Sequence, residues 1–143
     1  MTLLGFEHVG TTAADLDRSI AFYCGLLGLR LVLRKRQGTT ALAFLDAGGG
    51  MLEIAERPGA VAANDVPTGV AGLRHLTFAF DDVDALVTRL AAAGVEIIEQ
   101  PRDAHNTELI RRVAFCRDPD GIQVELIERQ DSSALRTARS TDG

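Results

Sequence analysis

Two stretches of this chain, 67 residues apart (75 − 8), are written to one plan. "EHVGTTAADLDRSI" lies over "RHLTFAFDDVDALV", matching His8 to His75, Asp15 to Asp82 and Asp17 to Asp84. Further on, "MLEIAE" lies over "QVELIE", matching Glu53 to Glu125 at an offset of 72 (125 − 53). The difference of five residues (72 − 67) is ordinary loop variation. An internal repeat in so short a chain signals two like modules related by approximate symmetry. Few residues are identical between the two copies, yet the polar residues that break the apolar pattern coincide.

The element pattern follows the repeat. Residues 5–10 suit a short strand, and "TTAADLDRSIAFYCGLLGL" predicts a helix, with Leu16, Ile20, Tyr23, Cys24 and Leu27 at spacings of three and four and Thr12 or Asp15 as its cap. "LRLVLRKR" and "ALAFLDA" read as strands across a "QGTT" turn, and "MLEIAER" reads as another after the tight "GGG" hairpin. Residues 58–71, with two prolines and two glycines, read as a linker. The order then begins again: "GLRHLTFAF" as strand, "DDVDALVTRLAAAG" as helix started by Asp81 or Asp82 and stopped by Gly94, then "VEIIEQ", "IRRVAFCRD" and "GIQVELIER" as strands. "PRDAHNTEL" is expected to be a polar connection in which His105 faces solvent. The expectation is an α+β fold of two βαβββ modules, about 3–57 and 72–129, within a single domain over 1–129. Residues 130–143 are polar and expected to be a disordered tail.

Charge and composition exclude some classes. A net charge of −5 speaks against a nucleic-acid-binding surface. Arg34, Lys35 and Arg36 read as a solvated strand end, while Arg111 and Arg112 are available to an anionic substrate. No stretch is long and apolar enough to cross a bilayer, and "MTLLGFEHVG" lacks a signal peptide's charged start and apolar run, so a cytoplasmic protein is expected. Cys24 and Cys116 have no CxxC spacing and read as small buried hydrophobes. Phe22 and Tyr23 read as core, Arg74 as surface, and Glu128 as a solvated carboxylate.

Each module opens with a histidine in its first strand and closes with a glutamate in its last. Burying a lone carboxylate among residues such as Val124 and Leu126 is costly unless it is paired, hydrogen-bonded or bound to metal. Period-two alternation turns Glu53 away from Leu52 and Ile54, and Glu125 away from Val124 and Leu126. Brought together by a pseudo-twofold, His8, Glu53, His75 and Glu125 would offer a divalent cation two imidazoles and two carboxylates. That donor set suits zinc, nickel, cobalt, manganese or ferrous iron.

The chain resembles the vicinal oxygen chelate superfamily, which includes glyoxalase I, methylmalonyl-CoA epimerase, extradiol dioxygenases, and fosfomycin- and bleomycin-resistance proteins. The resemblance spans residues 3–129 and rests on "EHVG", "MLEIAE", "LRHLTFAFDDVDAL" and above all "FCRDPDGIQVELIE". It implies paired βαβββ modules in a cupped mixed sheet around a central metal groove, a small-molecule substrate, and a homodimer. Four ligands leave two positions in an octahedron, enough for a bidentate enediolate but crowded for O₂, so the set resembles glyoxalase I most closely. The chemistry implied is proton transfer beside a carbonyl, with Glu125 or Glu53 as base and the metal as Lewis acid. Glutathione-dependent members carry an arginine four residues after the first histidine and an asparagine four after the first glutamate. Thr12 and Arg57 stand at those places. The alternatives are a drug- or antibiotic-binding protein of the bleomycin-resistance type without turnover, and an epimerase-like or extradiol dioxygenase-like enzyme.

Overall fold

The computed structural model describes residues 1–130, so nearly all of the expected tail lies outside the described residues. The elements run β1 (His8–Ala13), α1 (Leu16–Ile20) with a π-helical continuation (Ala21–Leu26), β2 (Arg30–Gln37), β3 (Thr40–Asp46), β4 (Met51–Glu56), β5 (Leu76–Ala79), α2 (Val83–Ala92), β6 (Ile97–Asp103), β7 (Ile110–Arg117) and β8 (Gln123–Arg129). The chain has mixed α+β architecture, and its strands form two four-stranded mixed sheets, ordered β1-β4-β3-β2 and β5-β8-β7-β6. In each sheet the first strand runs parallel to the last, while the other pairings are antiparallel. The described residues divide into two compact units, Met1–Asn64 with Asp118–Ile122, and Asp65–Arg117 with residues 123–130.

In the first unit, alternation decides which side chains are sealed. Ala41, Ala43, Leu45, Leu52 and Ile54 are all buried on one face, whereas Leu42, Phe44, Glu53 and Ala55 remain partly open on the other. Each fully buried leucine or isoleucine contributes about 1.5–3 kcal/mol relative to exposure. Leu16, Phe22 and Tyr23 are buried as well, as their spacing predicted. The helix begins later than the pattern suggested. Thr11–Ala13 continue β1 because they remain in register with Ile54–Glu56 of β4, and Asp15 then caps α1 by accepting from the Arg18 amide at 3.1 Å. The Leu16 amide donates to Glu56 Oε2 at 2.9 Å.

The "DPDG" turn is held against this unit by side chains and backbone alike. Tyr23 donates from its hydroxyl to Asp118 Oδ2 at 2.8 Å, and Asp118 Oδ1 accepts from the amides of Asp120 and Ile122, each at 2.9 Å. Asp120 accepts from the Ala14 amide at 2.9 Å, and Arg18 donates to the Pro119 carbonyl at 2.9 Å. Gly121, at φ +87°, gives the turn a left-handed residue that a side chain would strain. Burial is the main cause of the raised Asp118 pKa, and the three donors oppose it.

The second unit repeats the plan. Asp82 caps α2 by accepting from the Ala85 amide at 2.9 Å, and Gly94, at φ +84°, closes it. Val83, Leu86, Val87 and Leu90 of the helix are buried, along with Val113, Ala114, Cys116, Val124, Leu126 and Ile127 of the sheet. Several expectations are corrected here. Glu128 is not solvated: it is 5% exposed, accepts from the Val83 amide at 2.8 Å and pairs with Arg111. It is the counterpart of Glu56, which serves α1 in the same way. Arg111 and Arg112 are not free for a substrate, since Arg112 pairs with Asp84 and with Asp103 at 3.2 Å. Pro101–Asp103 extend β6 instead of forming a loop. Cys24 is only partly buried, and neither cysteine is in a disulfide. His105 is exposed, as expected.

Candidate functional site

The four residues singled out by the repeat form two matching pairs, one in each unit. In the first, His8 opens β1 and Glu53 lies in β4, with His8 Nε2 3.2 Å from Glu53 Oε2. In the second, His75 immediately precedes β5 and Glu125 lies in β8, with His75 Nε2 3.0 Å from Glu125 Oε2. Parallel pairing of the first strand with the last produces both contacts. It sets Gly10 beside Glu53 and Thr77 beside Glu125, which brings each histidine, two residues earlier, to the carboxylate on the same face.

An aromatic ring backs each pair. Phe44 lies opposite Glu53 in register and meets the His8 ring edge-on at 5.6 Å, and Phe115 lies opposite Glu125 and meets the His75 ring edge-on at 5.5 Å. Neither phenylalanine was picked out from the sequence. The signal was there, because alternation puts Phe44 on the face opposite Ala43 and Leu45, on the same side as Glu53.

The two pairs differ in how they are held. Glu7 contacts His8 Nδ1, and this contact, reinforced by Glu53, raises the His8 pKa against the opposing effect of desolvation. A carboxylate on Nδ1 fixes the ring and directs Nε2 outward, the arrangement that orients histidines toward metal ions. Glu125 has a different support. Thr77 donates from its hydroxyl to Glu125 Oε2 at 2.7 Å, and the Glu125 side chain is 15% exposed against 31% for Glu53.

The donor set fits a divalent cation. Two neighbouring ligands of one ion, each with a bond of about 2.1 Å and at right angles, lie about 3 Å apart. Both pairs have that separation, face outward from the buried side of their sheets, and combine borderline nitrogen with hard oxygen donors. A separate acidic cluster, Asp82, Asp84 and Glu128, has a different role. Its carboxylates cap α2 and pair with Arg111 and Arg112.

The sequence profile of the Glyoxalase/Bleomycin resistance protein/Dioxygenase superfamily matches residues 5–126. The chain belongs to that superfamily. A probable lactoylglutathione lyase of Vibrio cholerae is 32% identical over 136 residues, covering 89% of this chain and 92% of the relative. A lactoylglutathione lyase of Arabidopsis thaliana is 34% identical over 131 residues, covering 87% of this chain but 44% of the plant protein. Among solved structures, a glyoxalase family protein from Enterococcus faecalis superimposes with a TM-score of 0.70 at 27% identity, covering 90% of this chain and all of that one. Glyoxalase I from Zea mays gives 0.70 at 26% identity, where the chain spans 45% of the maize enzyme. The fold is that of the vicinal oxygen chelate proteins. Among the described residues no helix is long and apolar enough to cross a membrane.

Proposed function

We propose that this protein is a divalent-metal-dependent lyase or isomerase of the glyoxalase I type, moving a proton beside the carbonyl of a small metal-chelating substrate. The observation that carries the reading is the pair of His–Glu contacts at equivalent places in the two units, 3.2 and 3.0 Å. Two such pairs complete one site with His8, Glu53, His75 and Glu125 as ligands. When bound, the ion supplies Lewis acidity toward the oxygens of the developing enediolate. Glu125 or Glu53 takes the proton from carbon and returns it to the same or the neighbouring carbon. Glu7 and Thr77 hold His8 and Glu125 in place for this, and Phe44 and Phe115 bound the site with apolar surface. The full reading includes a homodimer, supported by the exposed Leu31, Val32 and Leu33 of β2. It also includes a cytoplasmic location, which suits two cysteines that are not in a disulfide.

The test is metal content of the untagged protein, followed by titration of the chelated chain with Ni²⁺ and Zn²⁺. About one ion per four-ligand site, lost in both His75→Ala and Glu125→Ala, is the expected result. Isomerisation of a hemithioacetal by the loaded protein then tests the activity, and whichever of Glu53→Gln and Glu125→Gln keeps the ion but loses turnover marks the base. Absence of specific metal binding would overturn the catalytic reading and favour a metal-free small-molecule binding groove.

A further inference from the structure

His75 is placed differently from His8. His8 lies within β1, level with Met51, and its imidazole is contacted by Glu7. His75 stands one residue before β5, outside the ladder, with Arg74 where His8 has Glu7. Its backbone is therefore set by β5 on one side and by the segment leading into it on the other. That segment begins at Asp65, ten residues earlier (75 − 65). Residues 67–74 are exposed, and segments with little buried surface open locally at low cost.

The segment is nonetheless clasped at its start and folded on itself. Arg117 donates from Nη1 to Asp65 Oδ1 and from Nη2 to Asp65 Oδ2, each at 2.9 Å, as two parallel bonds. Arg117 first and Gln123 next lower the Asp65 pKa to about 2, so this carboxylate is ionised throughout the neutral range. Strand register places the clasp. Arg117 lies opposite Gln123, and Leu76 lies beside Val124, so His75 stands level with Gln123. Gln123 shares the face of Glu125, two residues further on. The clasp is thus made in the row of His75 itself, on β8 and β7. Between clasp and histidine the chain turns back. The Val70 amide donates to the Pro67 carbonyl at 3.0 Å, and Gly69, at φ +89°, takes the third place of that turn, where a positive φ favours glycine. A Cβ on Gly72 would lie 3.6 Å from both methyl carbons of Val66. Residues 66–74 therefore form a compact loop with its two ends brought to one row, the pattern of an Ω-loop.

We propose that Asp65 is a positioning residue for His75: by clasping Arg117 and Gln123 it closes the 66–74 loop, and the closed loop fixes the backbone from which the imidazole reaches Glu125. The clasp rests on geometry alone, while its consequence for a metal ion rests on the metal-dependent reading. With the loop closed, His75 Nε2 lies 3.0 Å from Glu125 Oε2 and the ring meets Phe115 edge-on at 5.5 Å. With the clasp removed, the loop opens and that arrangement is populated only part of the time. Apparent affinity for a ligand of the arranged pair then falls by the populated fraction. The sheet itself does not depend on the clasp, because Glu96, 3.8 Å from Arg117 Nε, still balances the guanidinium when Asp65 is neutralised. The first unit has no need of an equivalent, since the β1 ladder holds the His8 backbone and Glu7 holds its ring.

The test is Asp65→Asn in the full chain, which keeps the size of the side chain and removes its charge. Competition with a chromophoric chelator should show Ni²⁺ bound about 3–10-fold more weakly, as for a pair arranged about a third to a tenth of the time. Amide hydrogen exchange of the metal-free chain should be about tenfold faster over residues 66–75 and unchanged in β1 and β4. Asp103→Asn is the control. It breaks the Asp103–Arg112 pair, 3.2 Å, in the same unit and should alter neither readout. A clasp that serves stability alone would lower Tm and speed exchange while leaving Ni²⁺ affinity unaltered, and that result overturns the proposal. Unchanged exchange, or an equal loss of affinity in Asp103→Asn, overturns it as well. If the unaltered chain binds no nickel, the metal-dependent reading fails, and positioning is read in the metal-free chain from NOEs between the His75 and Phe115 rings. NOEs weakened in Asp65→Asn but kept in Asp103→Asn uphold the clasp without the metal, whereas equal NOEs in the two variants overturn it.

Discussion

Replacing Thr77 with valine tests whether the His75–Glu125 pair is built to receive a cation. The hydroxyl donates to Glu125 Oε2 at 2.7 Å, and His75 Nε2 lies 3.0 Å from the same oxygen. A hydrogen bond to a charged group contributes about 1.5–3 kcal/mol, and the 15% exposure of the Glu125 side chain lets water replace part of it. Because the bond is already made in the metal-free chain, only part of that energy, about 0.7–1.4 kcal/mol, appears as lost affinity, making Ni²⁺ binding about 3–10-fold weaker. Valine keeps the shape and the strand preference of threonine, so the fold should persist, with a modestly lower Tm for the lost bond. The assay is competition with a chromophoric chelator, with Thr77→Ser as the rescue, since serine retains the hydroxyl. The converse substitution is Gly10→Thr. Gly10 occupies the place beside Glu53 that Thr77 occupies beside Glu125, and a Cβ there meets nothing within 4 Å. It should tighten metal binding by giving Glu53 a hydroxyl partner. Unchanged Ni²⁺ affinity in Thr77→Val, with the fold intact, would refute the positioning role.

Three further predictions concern the supports of the fold. Tyr23→Phe removes one of the three donors to Asp118, costing about 1.5–2 kcal/mol and lowering Tm by about 5 °C at neutral pH. Because burial already raises the Asp118 pKa, its contribution is full below the unfolded value of 3.8 and declines as pH rises through the folded one. The phenol helps the ionised form, so scanning calorimetry should show a smaller loss in Tyr23→Phe in acid than at pH 7. In the second unit, Arg117 first and Gln123 next lower the Asp65 pKa to about 2. Its contribution is therefore present above 3.8 and lost as pH falls through about 2, and Asp65→Asn should flatten the acid limb of urea-unfolding curves across that interval. Glu128→Ala should cost about 1–3 kcal/mol by urea denaturation, because it strips the acceptor from the Val83 amide at a buried helix start. Glu56→Ala removes the matching acceptor from Leu16 in the first unit and should act in the same direction.

Local pattern and repeat made the outline legible. The alternation of β3 appears directly as buried Ala41, Ala43 and Leu45 against more open Leu42 and Phe44. The caps Asp15 and Asp82 and the stop at Gly94 were equally plain, since each acts within a turn of its own position. What escaped depends on residues far apart in sequence. Thr11–Ala13 are strand because β4 lies beside them, not because their own pattern demands it. Glu128 is buried because the start of α2, 45 residues earlier, needs an acceptor there. Arg111 and Arg112 read as available charges in the sequence because their partners, Glu128, Asp84 and Asp103, lie on other elements.

The repeat is informative about the site through its mismatches as well as its matches. The matched residues, His8 with His75 and Glu53 with Glu125, define what both units supply, and Phe44 with Phe115 extends that common plan. The mismatches define what each unit adds. The second copy has Thr77 where the first has Gly10, and so holds its carboxylate by a hydroxyl. The first copy has Glu7 where the second has Arg74, and so steadies its imidazole by a carboxylate. In the reading proposed above, these differences leave a differently held glutamate in each unit, so that the two carboxylates are not equivalent as bases.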